Sequence, residues 1–159
     1  MCATCATCAT CAVGAVHLVL DLDETLITTE APDNVQPDMC LADELAYHRP
    51  NLLRFLRLCF EHCASVSLWT AATEPWLHAF LRSLPESMRC CFAFTWAARM
   101  CEGVRKPLCK MWTTPKAVAM GMGPTNTFIL DDRPETSSDN LDNFVRIKPF
   151  LWYEQCLPR

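Results

Sequence analysis

The chain has 159 residues, of which 51% are hydrophobic and 20% charged. This size and composition are typical of one globular domain and exclude an intrinsically disordered chain. The net charge of −4 argues against a broad electrostatic surface for nucleic acid or for an anionic membrane. An anionic substrate would therefore have to be bound by a few local cations or by a metal ion.

The N-terminus carries a three-residue repeat, CATCATCAT, with cysteines at Cys2, Cys5, Cys8 and Cys11. Such spacing can ligate zinc or an iron–sulfur cluster, and clustered terminal cysteines can also be S-acylated. The segment lacks the Gly, His and turn residues of folded metal knuckles. We therefore interpret residues 1–13 as a low-complexity tail without a role, followed by a single domain over residues 14–159.

The cysteines beyond the tail are expected to be buried free thiols, which is typical of a reducing compartment. They include Cys59, Cys63, Cys90, Cys91, Cys101 and Cys109. Residues 1–20 contain no Lys or Arg to begin a signal peptide, and no later stretch is long and uncharged enough to span a bilayer. These features predict a soluble intracellular protein of the nucleus or cytoplasm.

Short apolar runs alternate with helical patterns along the rest of the chain. The predicted order is a strand at 17–20, a loop at 30–47, a helix from 49 to 63, a strand at 65–69, a helix at 74–84, a strand at 91–96, a helix in two pieces at 107–120, a strand at 127–130 and a strand at 144–148. This alternation predicts an α/β domain with a mostly parallel central sheet.

Polar side chains follow three of the predicted strands. Asp21 and Asp23 come after the first and share one face of the extended chain. Thr70 follows the second, and Asp131 and Asp132 follow the fourth. In open α/β sheets ligands bind beyond the carboxyl ends of the strands, where the strand order reverses. Four carboxylates meeting there would repel one another without a cation, and hard oxygen ligands favour Mg²⁺.

Each of these features also has a plainer interpretation. The acidic pair after the first strand can be an acidic turn that caps the strand, and Thr70 can be a strand-end cap. Asp131 and Asp132 can form an N-cap or a turn, although adjacent acids after an apolar strand are costly without a partner.

The motifs DLDET, HRP, LWTAA, KPL and ILDDRP occur in the order found in the carboxy-terminal-domain phosphatases. The chain resembles this FCP/SCP-like family of the haloacid-dehalogenase superfamily over roughly residues 17–155. The resemblance implies a Rossmannoid three-layer sandwich. The intervals from Thr25 to Arg49 and from Thr70 to Lys106 are too short to hold a large cap domain.

The resemblance implies catalytic roles for five residues, which are Asp21, Asp23, Thr25, Thr70 and Lys106. Asp21 would be the nucleophile that forms an aspartyl-phosphate, and Asp23 the general acid and then the base. Thr25 would support the loop, while Thr70 would hydrogen-bond the phosphoryl group. Lys106 would neutralise phosphate charge and hold the nucleophile, with Lys110 as an alternative one helical turn later.

The resemblance also implies a Mg²⁺ site formed by Asp21, Asp23, Asp131 and Asp132, in which Asp132 is the more direct ligand. The expected activity is a Mg²⁺-dependent protein serine/threonine phosphatase. Its partner would be a phosphorylated protein segment, such as the tail of RNA polymerase II, without direct binding to nucleic acid. A phosphatase-like binding module of weak or no activity and a nucleic-acid end phosphatase are the alternatives.

Two departures from the family pattern are visible. Family members commonly carry an arginine three residues before the cysteine that matches Cys101, whereas this chain has Ala98 there and Arg99 one position later. The usual C-terminal helix also has no counterpart after FLWYEQ. We therefore expect an exposed apolar patch around residues 150–152.

Overall fold

The computed structural model describes residues 16–31, 35–41 and 44–152. The interpretation of residues 1–13 as a tail, and the end of the chain after residue 152, lie outside the described residues. Within the described ranges, no helix combines the length and apolar character that crossing a bilayer requires.

The described strands, in chain order, are β1 (His17–Leu20), β2 (Ile27–Thr28), β3 (Met39–Leu41), β4 (Glu44–His48), β5 (Ser65–Trp69), β6 (Phe92–Trp96), β7 (Thr127–Asp131) and β8 (Phe144–Arg146). The described α-helices are α1 (Leu52–His62), α2 (Glu74–Ser83), α3 (Glu86–Arg89), α4 (Leu108–Trp112) and α5 (Pro115–Ala119). Short 3₁₀ segments lie at Ala98–Met100, Pro134–Ser137 and Leu141–Asn143.

Five strands form a parallel sheet in the order β6-β5-β1-β7-β8, as the sequence predicted. The chain runs outward from β1 through β5 to β6 and then returns to β7 on the other side of β1. The strand order therefore reverses beside β1, and the carboxyl ends of β1, β5 and β7 meet at this reversal. This is the edge at which an open α/β sheet binds its ligands.

The two faces of β1 pack into different hydrophobic clusters. Leu20 belongs to a cluster with residues of α1, α2 and α3, whereas Val19 belongs to a second cluster with residues of α4 and α5. The alternation follows from the two-residue period of a strand. Because helices cover both faces, β1 is a nearly continuous apolar run, and the domain is the predicted three-layer sandwich.

The prediction of a loop over residues 30–47 agrees with the described residues up to 38 and is wrong beyond them. The strands β3 and β4 lie there and form a small antiparallel sheet with β2, in the order β2-β4-β3. Its strands bury Ile27, Met39 and Ala46 in the same cluster as α2, and burial against a helix stabilises strands too short to be recognised from their pattern. The small sheet packs on the domain itself, in agreement with the absence of a large cap domain.

The cysteines of the described residues differ from the expectation of buried thiols. Cys59 is buried, and Cys63 and Cys101 are partly buried, with the pKa of each thiol raised by burial. Cys90, Cys91 and Cys109 are exposed. The difference arises because these three lie at the ends or on the outer sides of their elements.

The expected exposed patch at residues 150–152 is also wrong. Phe150 is fully buried, and Leu151 and Trp152 are partly buried. The Arg49 guanidinium lies over the Phe150 ring, 5.6 Å from its centroid. The Tyr47 and Trp152 rings are 5.7 Å apart. The segment is covered by Tyr47 of β4 and by Arg49, which lies between β4 and α1, and the sequence pattern did not reveal these contacts.

Candidate active site

Asp21 lies directly after β1, where its backbone N–H donates to the carbonyl of Leu130 at the end of β7. Its carboxylate is 5% exposed and accepts a hydrogen bond from the ammonium group of Lys106. Burial raises the pKa of Asp21 to about 7 against the opposing attraction of Lys106. Because burial disfavours the charged form of Asp21, a further positive charge beside this carboxylate would stabilise its ionised form.

Lys106 is held between two carboxylates in the interior. Its ammonium group forms ion pairs with Asp21 and with Asp131, the latter at 2.8 Å, and the side chain is 1% exposed. Burial alone would lower the pKa of Lys106, but the two carboxylates outweigh it and raise the pKa. Lys106, rather than Lys110, therefore supplies the positive charge against Asp21.

The backbone on either side of Lys106 is also fixed. Its N–H donates to the carbonyl of Thr136 at 2.7 Å. The side-chain amide of Asn140 donates to the carbonyl of Lys106 at 2.7 Å and accepts from the N–H of Leu108 at 2.8 Å. The start of α4 is thus held by the loop that follows β7, which aligns the lysine with the carboxylates.

Asp23 lies beside Asp21 and has a different set of partners. The hydroxyl of Thr70, directly after β5, donates to Oδ2 of Asp23 at 2.9 Å. The indole N–H of Trp76, in α2, donates to Oδ1 at 2.7 Å. Thr70 and Trp76 are buried, whereas Asp23 is partly exposed. Both oxygens of this carboxylate are therefore oriented while one side of it remains open to solvent.

Asp131 and Asp132 end β7 and complete the acidic site. Asp131 accepts from the hydroxyl of Thr136 at 2.6 Å and from the N–H of Arg133 at 2.9 Å. Asp132 accepts from the hydroxyl of Thr25 at 3.3 Å. Burial, followed by the charge of Asp131, raises the pKa of Asp132 to about 6.

Three of these carboxylates are arranged as a cation site would require. One oxygen each from Asp21, Asp131 and Asp132 lies within 4.8 Å of the others, and all three residues are buried. One ammonium group cannot balance three carboxylates, so the cluster favours a divalent cation with oxygen ligands such as Mg²⁺. Asp23, which was also predicted as a Mg²⁺ ligand, is not part of this cluster among the described residues.

Three residues that orient the site were missed by sequence reasoning. Trp76 was only placed within the predicted helix at 74–84, and neither Thr136 nor Asn140 was singled out. The turn after ILDDRP, which contains one threonine and two serines, is a weak signal for hydroxyl donors near the acids. For Trp76 and Asn140 no sequence signal is apparent, because their bonds join residues distant in the chain.

The displaced arginine of the sequence lies away from these carboxylates. Arg99 is exposed and forms an ion pair with Glu74 at the start of α2. An exposed pair of this kind contributes little to stability.

The family model described as NIF, NLI interacting factor-like phosphatase, matches residues 16–157. A comparison with curated protein sequences gave no match. Among solved structures, fission yeast RNA polymerase II CTD phosphatase Fcp1 bound to beryllium fluoride has a TM-score of 0.65 and 17% identity, covering 88% of this chain and 43% of that chain. A second structure, of Fcp1 as an essential RNA polymerase II CTD phosphatase, has a TM-score of 0.65 and 16% identity with the same coverage. The chain thus spans less than half the length of these structural relatives, with which it shares the fold.

Proposed function

The chain belongs to the NLI interacting factor-like phosphatase family, and on that premise we propose that it is a Mg²⁺-dependent protein serine/threonine phosphatase that acts through an aspartyl-phosphate. One observation carries the proposal. Asp21 is held by the buried Lys106 within 4.8 Å of two further carboxylates, while Asp23 is oriented beside it by two hydrogen-bond donors. A nucleophile, an acid and a cation site are thus close together.

In the first step a carboxylate oxygen of Asp21 attacks the phosphorus atom, and the bond from phosphorus to the serine or threonine oxygen breaks. Asp23 gives its proton to that oxygen, so the product leaves as an alcohol. In the second step water attacks the phosphorus of the aspartyl-phosphate. Asp23, now ionised, takes a proton from this water, and inorganic phosphate and the Asp21 carboxylate are released.

Lys106 balances charge in both steps because its ammonium group lies against the nucleophile. Positioning and charge neutralisation supply most of the catalysis in phosphoryl transfer. A divalent cation held by Asp21, Asp131 and Asp132 would neutralise charge that develops on the phosphoryl oxygens. We assign to Thr70, whose hydroxyl donates to Asp23, the hydrogen bond to the phosphoryl group.

A phosphorylated segment of another protein is the proposed substrate. Asp23 is partly exposed and its neighbour Glu24 is exposed, which leaves one side of the site accessible. Within the described residues, the insertion after the first motif is a small sheet packed on the domain, and it leaves room for a bulky substrate. The structural relatives are named as RNA polymerase II CTD phosphatases, which makes a phosphoserine in a flexible tail the first substrate to test.

Phosphate release from a phosphoserine peptide, with Mg²⁺ and with EDTA, tests the proposal. We expect Mg²⁺-dependent turnover that Asp21→Asn abolishes while the folded structure is retained. Asp142→Asn is the matched control, because Asp142 is an exposed acid in the 3₁₀ segment before β8. Turnover by Asp21→Asn above a tenth of that of the wild type, or turnover that EDTA does not change, would contradict the proposal.

A further inference from the structure

We propose that Trp76 is a positioning residue that holds Oδ1 of Asp23, so that Oδ2, the oxygen that Asp23 shares with Thr70, is the one available for proton transfer. The inference rests on the proposed function, in which Asp23 acts as the general acid. It goes further by assigning the proton transfer to one atom and the control of that atom to a tryptophan.

An indole N–H donates a hydrogen bond and cannot accept one. Trp76 donates to Oδ1 of Asp23 at 2.7 Å, and Trp76 is 5% exposed, so water does not readily replace this bond. A proton on Oδ1 would face the indole hydrogen directly. Oδ1 is therefore held as an acceptor and is not the oxygen that transfers a proton.

The second oxygen of Asp23, Oδ2, contacts a hydroxyl group instead of an indole N–H. Oδ2 lies 2.9 Å from the hydroxyl of Thr70, and a hydroxyl can donate or accept. The Thr70 oxygen also accepts from the N–H of Ala72 at 2.9 Å, which orients the threonine. Oδ2 is therefore the oxygen of Asp23 whose partner allows it either to accept a hydrogen bond or to donate one.

Proton transfer at a single oxygen has a catalytic consequence. In the first step Oδ2 gives its proton to the departing alcohol oxygen, and in the second the same Oδ2 takes a proton from water. The carboxyl group does not need to rotate between the steps, which preserves the alignment that general acid catalysis requires. The position of Trp76 in α2 fixes this orientation because α2 is packed in the main hydrophobic cluster.

The substitution Trp76→Phe separates this role from simple packing, because it retains an aromatic ring and removes the donor. The comparison uses kcat/KM, which reports the first chemical step, for a phosphoserine peptide and for p-nitrophenyl phosphate. The peptide releases an alkoxide that needs a proton, whereas p-nitrophenolate is a stable anion. We expect a loss of roughly tenfold or more for the peptide, within the range that general acids contribute, and a loss of less than about threefold for the aryl ester.

The matched control is Trp112→Phe. The indole nitrogen of Trp112 is buried without a hydrogen-bond partner among the described residues, so its removal should leave kcat/KM unchanged for both substrates. Equal losses for the two substrates in Trp76→Phe would mean that Trp76 is only a packing residue and would overturn the inference. A wild-type protein that turns over neither substrate would contradict the proposed function, and the acid role of Asp23 with it.

A second measurement tests the contact without turnover. In ¹⁵N-labelled metal-free protein, the indole N–H resonance of Trp76 is identified by its loss in Trp76→Phe. We expect Asp23→Leu, which removes the acceptor, to shift this resonance and to increase its exchange with water, while the indole resonance of Trp112 is unchanged. A Trp76 resonance that does not respond to Asp23→Leu would overturn the inference even in an active enzyme.

Discussion

The ammonium nitrogen of Lys106 lies 2.8 Å from Oδ2 of Asp131, and each side chain is 1% exposed. The same oxygen accepts from the hydroxyl of Thr136 at 2.6 Å, and the ammonium group also pairs with Asp21. A buried lysine between two buried carboxylates is costly to form but more costly to break, since removing one partner leaves uncompensated charge.

Lys106→Met should therefore reduce both stability and turnover. The free energy of unfolding should fall by about 3–5 kcal/mol, the range for breaking a buried ion pair, and phosphate release should be lost with the charge beside Asp21. Urea unfolding measures the first effect, with Lys110→Met, in the helix α4 that follows Lys106, as the control. A loss of stability below about 1 kcal/mol would mean that Lys106 does not balance the two carboxylates.

Mg²⁺ should stabilise the protein through Asp21, Asp131 and Asp132. At a concentration one hundred times its Kd, a ligand adds about 2.7 kcal/mol to the free energy of unfolding. Asp132→Asn removes one charged ligand and should shift the Mg²⁺ concentration for a given rise in Tm upward by roughly tenfold. Asp142→Asn should leave this concentration unchanged. A Tm of the wild type that does not respond to Mg²⁺ would count against the metal site.

The success of sequence reasoning about the fold depended on how far each element is buried. Strands β1 and β5 were predicted at the bounds that the structure has, because both are buried apolar runs in the middle of the sheet. The small sheet formed by β2, β3 and β4 was missed because its strands have two to five residues. Such strands depend on long-range packing rather than on a local pattern.

The same limit applies to the candidate site. The positions of Asp21, Asp131 and Asp132 follow from one rule, that parallel strands present their carboxyl ends at one edge, and the structure brings these three together. The rule does not extend to side chains that reach the edge from a helix or a later turn. Trp76 and Asn140 contribute by such bonds, which no spacing in the sequence predicts.

Two histidines, the buried His17 and the partly buried His48, should make stability depend on pH. His17 bonds to Ser65 at 2.8 Å and His48 bonds to Ser83 at 2.8 Å, and burial lowers the pKa of both, although Asp38 opposes the shift at His48. In the unfolded chain a histidine takes up a proton near pH 6.5, while in the folded protein the lowered pKa means that the proton is taken up at a lower pH. Their contribution is therefore complete above pH 6.5 and decreases as the pH falls below it.

The test compares variants, because the raised pKa values of Asp21 and Asp132 change stability with pH in the opposite direction. Between pH 7.5 and pH 5 (assay values set by the unfolded pKa of about 6.5), His48→Gln should lose less stability than the wild type in urea unfolding with EDTA. The exposed His78 provides the control variant His78→Gln, which should follow the wild type. A steeper loss in His48→Gln would show that protonation of His48 stabilises the fold.

Phe150 should contribute to the free energy of unfolding and to the conformation of the loop formed by residues 21–25. Its ring is fully buried, and Phe→Ala at such a site typically costs about 3–5 kcal/mol. Its N–H donates to the carbonyl of Glu24 at 2.6 Å, and Glu24 has a left-handed φ of 58° between Asp23 and Thr25. We therefore expect Phe150→Ala to lower turnover as well as stability, because the backbone that carries Asp23 and Thr25, the residues proposed as catalytic, loses support.

The partly buried Leu151 supplies the control. Leu151→Ala should cost less in urea unfolding and leave kcat nearly unchanged, because no bond to the catalytic loop starts from this residue among the described contacts. Equal losses of kcat in the two variants would mean that the segment acts through general stability alone. Arg49 also donates to the carbonyls of Thr25 and Lys148 at 2.9 and 2.7 Å and so forms a second link to the backbone at residue 25. A loss of kcat in Phe150→Ala but not in Leu151→Ala would therefore show that Phe150 itself supports this backbone.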